Sequence, residues 1–157
     1  MARSALANKQ FPTACVRRAA ITDAAEIARL SAQFDHPAHV PDLVARIAVL
    51  QEMPSQYLAV AEVPGATLLG WIQVERRLVL VAGERAEIVG LVVDAAARRC
   101  GVGTLLANAA QQWACAAKLG QMVVRSNVLR DASHEFYLAL GYRRAKTQHI
   151  YTKSLPV

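Results

Sequence analysis

The segment RRCGVGTLLANAAQQW, residues 98–113, sets the tightest limit on how this chain folds. Two arginines and two glycines stand directly before Val102, Leu105, Leu106, Ala109 and Trp113, which recur at helical spacing. The residues upstream, RAEIVGLVVD, read as a strand. A strand that turns through glycines into a helix gathers unpaired backbone N–H groups and the positive end of the helix dipole at one spot. Such a spot binds phosphate. Gly101 and Gly103 leave the backbone bare, and Arg98 and Arg99 add charge-assisted bonds, so a pyrophosphate is the expected guest. Two nucleotide fingerprints are missing: G-x-G-x-x-G after a first strand, and G-K-[S/T].

The rest of the chain supplies the frame. The first dozen residues lack a period, and the reading makes residues 1–12 a flexible tail. CVRRAAI begins the fold as a first strand. TDAAEIARLSAQF follows as a helix, with Thr22 or Asp23 able to cap it and Ile27, Leu30 and Phe34 on one face. PDLVARIAVLQEM makes a second helix with Pro41 or Asp42 at its start. The loop between them carries His36 and His39. QYLAVAEV, a Pro-Gly turn, TLLGWIQVERRLVL and RAEIVGLVVD read as a three-strand meander. In the last of these, strict alternation puts Glu87, Val89, Leu91 and Val93 on one face.

After the glycine-arginine turn, Gly120 is expected to end the long helix in a left-handed cap. QMVVRSNV is a fifth strand, RDASHEFYLALG a short helix closed by Gly141, and YRRAKTQHIYTKSL a final extended strand. The order is that of an α+β fold with helices around a mixed sheet, and the path from EIVGLVV to MVVRS suits a right-handed parallel crossover.

Composition narrows the function classes. At 157 residues, 54% hydrophobic and 19% charged, the chain suits one globular domain. No apolar run reaches the ~18 residues of a membrane span, no signal segment opens the chain, and a cytoplasmic protein is expected. Cys15, Cys100 and Cys115 show neither a disulfide framework nor a metal-ligand spacing, so no metal is expected. The net charge of +6 suits an anionic ligand, but 6% aromatics and the absence of any recognition motif speak against nucleic acid.

Arg98-x-x-Gly101-x-Gly103, preceded by EIVGLVVD and followed by TLLANAAQQWA, resembles the acetyl-CoA signature of the GNAT N-acetyltransferase superfamily. SNVLRDASHEFYLALGYRR resembles the family's second motif, and the likeness runs from Cys15 to Leu155. It implies a mostly antiparallel mixed sheet with helices on both faces and a splayed parallel strand pair, forming one N-acetyltransferase domain over residues 13–157. Between the splayed strands acetyl-CoA would insert, with the main chain of Leu91, Val92 and Val93 meeting its pantetheine arm. Arg98, Arg99, Cys100, Gly101, Val102, Gly103 and Thr104 would surround its pyrophosphate, and Asn127 and Phe136 complete the implied cofactor contacts. Many relatives carry glycine at the position of Arg99. Relatives also frequently carry asparagine seven residues before the helix tyrosine, where this chain has Arg130.

The resemblance further implies direct acetyl transfer to a primary amine of a small-molecule or peptidic acceptor. Tyr137 would give the leaving thiolate its proton, and Glu87 would deprotonate the amine through a water, unless an arginine such as Arg76 or Arg77 engages it. Main chain from Leu91 to Val93 would support the developing oxyanion. His134 and His36 stand on the acceptor side as further candidates. The segments 35–50 and 68–84 hold few carboxylates for a polycationic acceptor: Asp35, Asp42, Glu75 and Glu84. The family's habit of dimerising implies a homodimer, with AKTQHIYTKSL as its pairing edge. No membrane or nucleic-acid partner is expected. The alternative to catalysis is a CoA-binding sensor or partner-binding module of the same fold.

Overall fold

A computed structural model describes residues 13–157; the tail expected over residues 1–12 lies outside the described residues. The chain divides into two compact units, one ending at Val124 and the other comprising Arg125–Val157.

The first unit is built on five strands: β1 (Cys15–Arg18), β2 (Gln56–Glu62), β3 (Leu68–Val79), β4 (Gly83–Val93) and β5 (Met122–Val124). They lie in sequence order, antiparallel except for β4 and β5, which run parallel. Two helices, α1 (Ala24–Ala32) and α2 (Val40–Gln51), link β1 to β2, and α3 (Val102–Ala116) is the crossover between the parallel strands.

The sheet is covered on both faces. On one, Ile27 and Leu30 of α1 and Ile47 of α2 form an apolar cluster with Leu58, Val60, Leu68 and Val92 of the strands. On the other, α3 buries Val102, Leu106, Ala110 and Ala114. Trp113 of α3 stacks on Tyr57, whose ring centroid is 5.5 Å away. Tyr57 and Leu58 are neighbours in β2, so their side chains leave opposite faces and mark the two layers. Close approach of α3 needs Gly70, where a Cβ would lie 2.5 Å from the Val92 carbonyl oxygen and 3.1 Å from Leu106.

Arg17 ties the first strand down. Its guanidinium donates to both oxygens of Asp23, at 2.7 and 2.9 Å, and to Glu62 at 2.9 Å. Asp23 therefore does not cap α1 with its side chain; it accepts from Arg17 and from the Ala20 N–H instead. The Arg17 guanidinium holds the Asp23 carboxyl below the usual carboxylate range, against the opposing effect of burial.

Other expectations are corrected by the backbone. The long helix ends at Ala116, and the left-handed position beyond it belongs to Lys118, φ 59°, not to Gly120. Leu119 N–H donates to Ala114 O at 2.9 Å, closing the helix as a Schellman turn around Lys118. The same hydrogen-bond closure occurs at α1, where Asp35 has φ 58° and His36 N–H donates to Ser31 O.

In the second unit, α4 (Asp131–Ala139) is closed by Gly141 at φ 87°, as its sequence predicts. The final strand read from YRRAKTQHIYTKSL does not form: residues 142–157 carry no strand, and Ile150, Tyr151 and Leu155 stay exposed. With those apolar side chains in solvent, the segment gains no burial to offset the ordering of its backbone.

Lys118→Gly should raise stability by about 1 kcal/mol, because a left-handed backbone is strained for lysine and free for glycine. Urea unfolding measures it; an unchanged or lower midpoint contradicts the strain.

Candidate active site

The β4 strand is paired on both edges only for part of its length. Its parallel ladder with β5 joins Ala86 to Met122, Glu87 to Val123 and Ile88 to Val124, and stops there. The ladder with β3 continues to Val93. Among the described residues, 89–93 therefore keep one edge without a strand partner.

One extra residue sits where the ladder ends. Gln73 pairs with Gly90 and Val74 with Ile88, so Val89 is a bulge with no partner on β3. A bulge of one residue reverses the alternation beyond it. Glu87 consequently shares its face with Gly90 and Val92, not with Leu91 and Val93, and strict alternation fails at Val89. Main-chain direction follows the same parity. Ala86 N–H donates toward β5, to Gln121 O at 2.9 Å, and Asp94 N–H donates toward β3, to Leu69 O at 2.8 Å. Leu91 and Val93, on the face of Ala86, aim their N–H and C=O groups at the open edge.

Beyond β4 the chain makes a 3-10 turn (Ala95–Ala97) and enters α3 through Arg98, Arg99, Cys100 and Gly101. Asp94 caps that turn by accepting from Ala96 N–H at 2.9 Å and is gripped by Arg29 at 2.7 Å. Burial raises the Asp94 carboxyl pKa, but the Ala96 N–H and Arg29 outweigh it and hold the group below the usual range. The turn thus requires the anion, and that contribution is lost as pH falls through the lowered pKa. Gln33, directly after α1, accepts from Ala95 N–H at 2.8 Å. Glu26, Arg29 and Gln33 form a polar stripe that fastens the turn. Sequence reasoning missed this stripe, although its spacing along α1 was a usable signal.

Gly101 caps α3 in a left-handed conformation, φ 84°, and Arg99 is left-handed too, φ 60°. At Arg99 that conformation is one that glycine would adopt without strain. The first intrahelical bond is Leu105 N–H to Gly101 O, so the N–H groups of Val102, Gly103 and Thr104 have no helical acceptor. Arg98 lies with its guanidinium carbon 4.6 Å from the centroid of the Phe34 ring. The Cys100 thiol approaches the Arg98 carbonyl oxygen at 3.3 Å.

Glu87 is buried, and its carboxylate takes bonds from Arg77 at 3.1 and 3.2 Å and from Arg85 at 3.2 Å. Arg76 pairs with Glu84 instead, at 2.7 Å. His36 is exposed in the loop after α1.

The second unit holds the remaining sequence-derived residues. Tyr137 on α4 meets Phe136 and Tyr142 edge-on, with centroids 5.1 and 5.5 Å away. Burial, reinforced by Tyr142, pushes its phenol up to about 12. Asn127 turns its side chain to Leu129 N–H at 2.9 Å, and His134 Nε2 lies 2.9 Å from the Asn127 carbonyl oxygen. In this structure both are occupied in shaping the approach to α4.

A family model described as the acetyltransferase (GNAT) family matches residues 21–142. Among solved structures, the fold is similar to a transcriptional regulator from Bacillus halodurans C-125, with TM-score 0.80, 21% identity, and coverage of 89% of this chain and 99% of that one. It is also similar to an aminoglycoside N-acetyltransferase in complex with CoA, with TM-score 0.80, 18% identity, and coverage of 90% and 95%. An aminoglycoside acetyltransferase from an uncultured soil metagenomic sample, in complex with sisomicin, gives TM-score 0.76 at 19% identity, covering 92% and 98%. No protein with a curated description matches the chain. Among the described residues, no helix is long and apolar enough to cross a membrane.

A Cβ at Gly101 would meet no atom within 4 Å, so Gly101→Ala tests backbone strain alone. It should cost about 1 to 2 kcal/mol in thermal or urea unfolding, and no loss would mean that the turn relaxes freely.

Proposed function

The chain belongs to the GNAT acetyltransferase family, and on that footing we propose that it moves the acetyl group of acetyl-CoA directly to a primary amine of a small-molecule or peptidic acceptor. The observation that carries this reading is the open edge of β4 running into the left-handed turn before α3. Acetyl-CoA, when bound, supplies a thioester whose carbonyl carbon an amine attacks as the sulfur departs.

The residues present suit such a guest. Leu91 and Val93 direct main-chain donors and acceptors along the open edge, as an inserted amide-bearing arm requires. At its end, the first-turn N–H groups of α3 and the guanidiniums of Arg98 and Arg99 fit a pyrophosphate. Cys100 sits in that turn, away from the strand edge, which favours direct transfer over an acyl-cysteine.

Main-chain N–H at Leu91 is our candidate for the donor to the carbonyl oxygen, where negative charge develops. Tyr137 is our candidate acid for the departing sulfur. Its raised pKa keeps the phenol protonated well beyond neutral pH, so the donor form persists across the working range. The Glu87 carboxylate is engaged by Arg77 of β3 and Arg85 of β4. We therefore assign Glu87 to fastening β3 to β4 and leave amine deprotonation to solvent.

The first test is calorimetric titration of the purified protein with acetyl-CoA and desulfo-CoA, followed by thiol release with a panel of amines. Micromolar binding with thiol release supports the proposal, and Arg98→Ala should weaken binding about tenfold. Absence of binding refutes it, and binding without release for any amine leaves a CoA-binding module.

A second prediction concerns pH. With Tyr137 as acid and no dedicated base, kcat should rise as the acceptor amine deprotonates and show no fall below about pH 10. Tyr137→Phe should lower kcat by about 100-fold with little change in the KM for acetyl-CoA. A bell-shaped profile centred near neutrality, or an unaffected variant, would contradict these roles.

A further inference from the structure

Resting on the acetyl transfer proposed above, a further question is what holds its main-chain donor in place. Gly90 lies between the bulge residue Val89 and Leu91, in the stretch where β4 loses one partner. Its φ is not in the left-handed region, so no turn geometry demands glycine there. Space does. A Cβ at Gly90 would lie 2.6 Å from Cζ3 and 2.7 Å from Cη2 of Trp71, far inside contact distance.

Trp71 stands on β3 opposite Val92, with its side chain on the face of Gly90. Its ring packs against the apolar cluster beneath α1 and α2. The indole N–H is buried without a hydrogen-bond partner among the described residues. No hydrogen bond therefore orients the ring; contact with Gly90 and the cluster does. Leaving a buried donor unpaired is unfavourable, which makes the large ring a poor choice for filler alone.

We infer that Trp71 is a positioning residue: its six-membered ring, seated on Gly90, fixes the bulge at Val89 and thereby aims the Leu91 N–H at the thioester carbonyl oxygen. The ring presses on β4 from one face, so the extra residue is held in the one conformation that leaves Leu91 directed to the open edge. A donor displaced by about an ångström loses most of its effect on the developing charge. Trp71 touches neither the arm nor the pyrophosphate in this scheme; it acts through Gly90.

The test needs no acceptor. Isotope-edited infrared spectra of acetyl-CoA carrying a 13C-labelled acetyl carbonyl report the hydrogen bond to that oxygen. Calorimetry with acetyl-CoA and with CoA reports how much the acetyl group adds to affinity. Trp71→Phe keeps an aromatic ring in the cluster but withdraws the atoms that meet Gly90, and Gly90→Ala forces ring and strand apart. Each should return the bound carbonyl band toward its value in water and cut the preference for acetyl-CoA over CoA by up to about tenfold, with CoA affinity itself nearly unchanged. The double variant should regain part of both effects, since the smaller ring admits the new methyl group.

If the wild type binds acetyl-CoA with a shifted band and Trp71→Phe shows the same band and preference, the inference fails while the functional reading stands. Failure of the wild type to bind acetyl-CoA overturns both. A double variant no better than Gly90→Ala also contradicts the inference, even where Gly90→Ala alone unfolds.

Discussion

A strand paired along both edges has no main-chain group to spare for a ligand, and β4 leaves that condition at Ile88. From there to Val93 the one strand fastened to it among the described residues is β3, so half of its amide groups need another partner. Such an edge is stable only if what surrounds it is rigid. The ladder to β3 continues past the bulge, Asp94 N–H is bonded to Leu69, and the Asp94 carboxylate is anchored on Arg29. The helix that follows is then delivered with its N-terminus at the end of the edge. The open edge and the left-handed turn are thus two consequences of one strand outrunning its neighbour.

Charge is arranged to the same end. The chain has 18 Lys and Arg against 12 Asp and Glu, and much of the carboxylate complement is consumed by arginines other than Arg98 and Arg99. Arg17 takes Asp23 and Glu62, Arg29 takes Glu26 and Asp94, Arg76 takes Glu84, and Arg77 and Arg85 take Glu87. Among the described residues, Arg98 and Arg99 have no carboxylate partner. The positive excess at the turn is therefore available to an anion, and the aromatic contact of Arg98 with Phe34 leaves its charge unneutralised.

The elements were legible because their periods are strong: Ile27 and Leu30 announce α1, which ends at Ala32, short of Phe34, and Val102, Leu106 and Trp113 announce α3. The glycine-arginine turn was legible because backbone access and positive charge are both written in residue type. The bulge was not, since one inserted residue changes the facing of Glu87 without changing composition. Gly90 inside a strand was its only trace. The left-handed backbone at Asp35, Arg99 and Lys118 escaped as well, because the tertiary frame imposes there what propensity assigns to glycine. The final strand failed for the opposite reason: its alternating residues are compatible with pairing, but burial that would stabilise a ladder is absent.

Two left-handed residues in three positions, Arg99 and Gly101, make the turn before α3 costly to form. Glycine at both would be the inexpensive solution for the backbone. Arginine at the first retains a cation beside the helix N-terminus and accepts the strain, which persists because the turn is determined from several sides. Gln33 and Asp94 hold the entry to the turn, while the buried Val102 fixes its exit into α3. A strained residue without such a frame would relax and carry its charge away. The polar stripe of α1 is thus part of what holds the turn, and with it the proposed anion site, in shape.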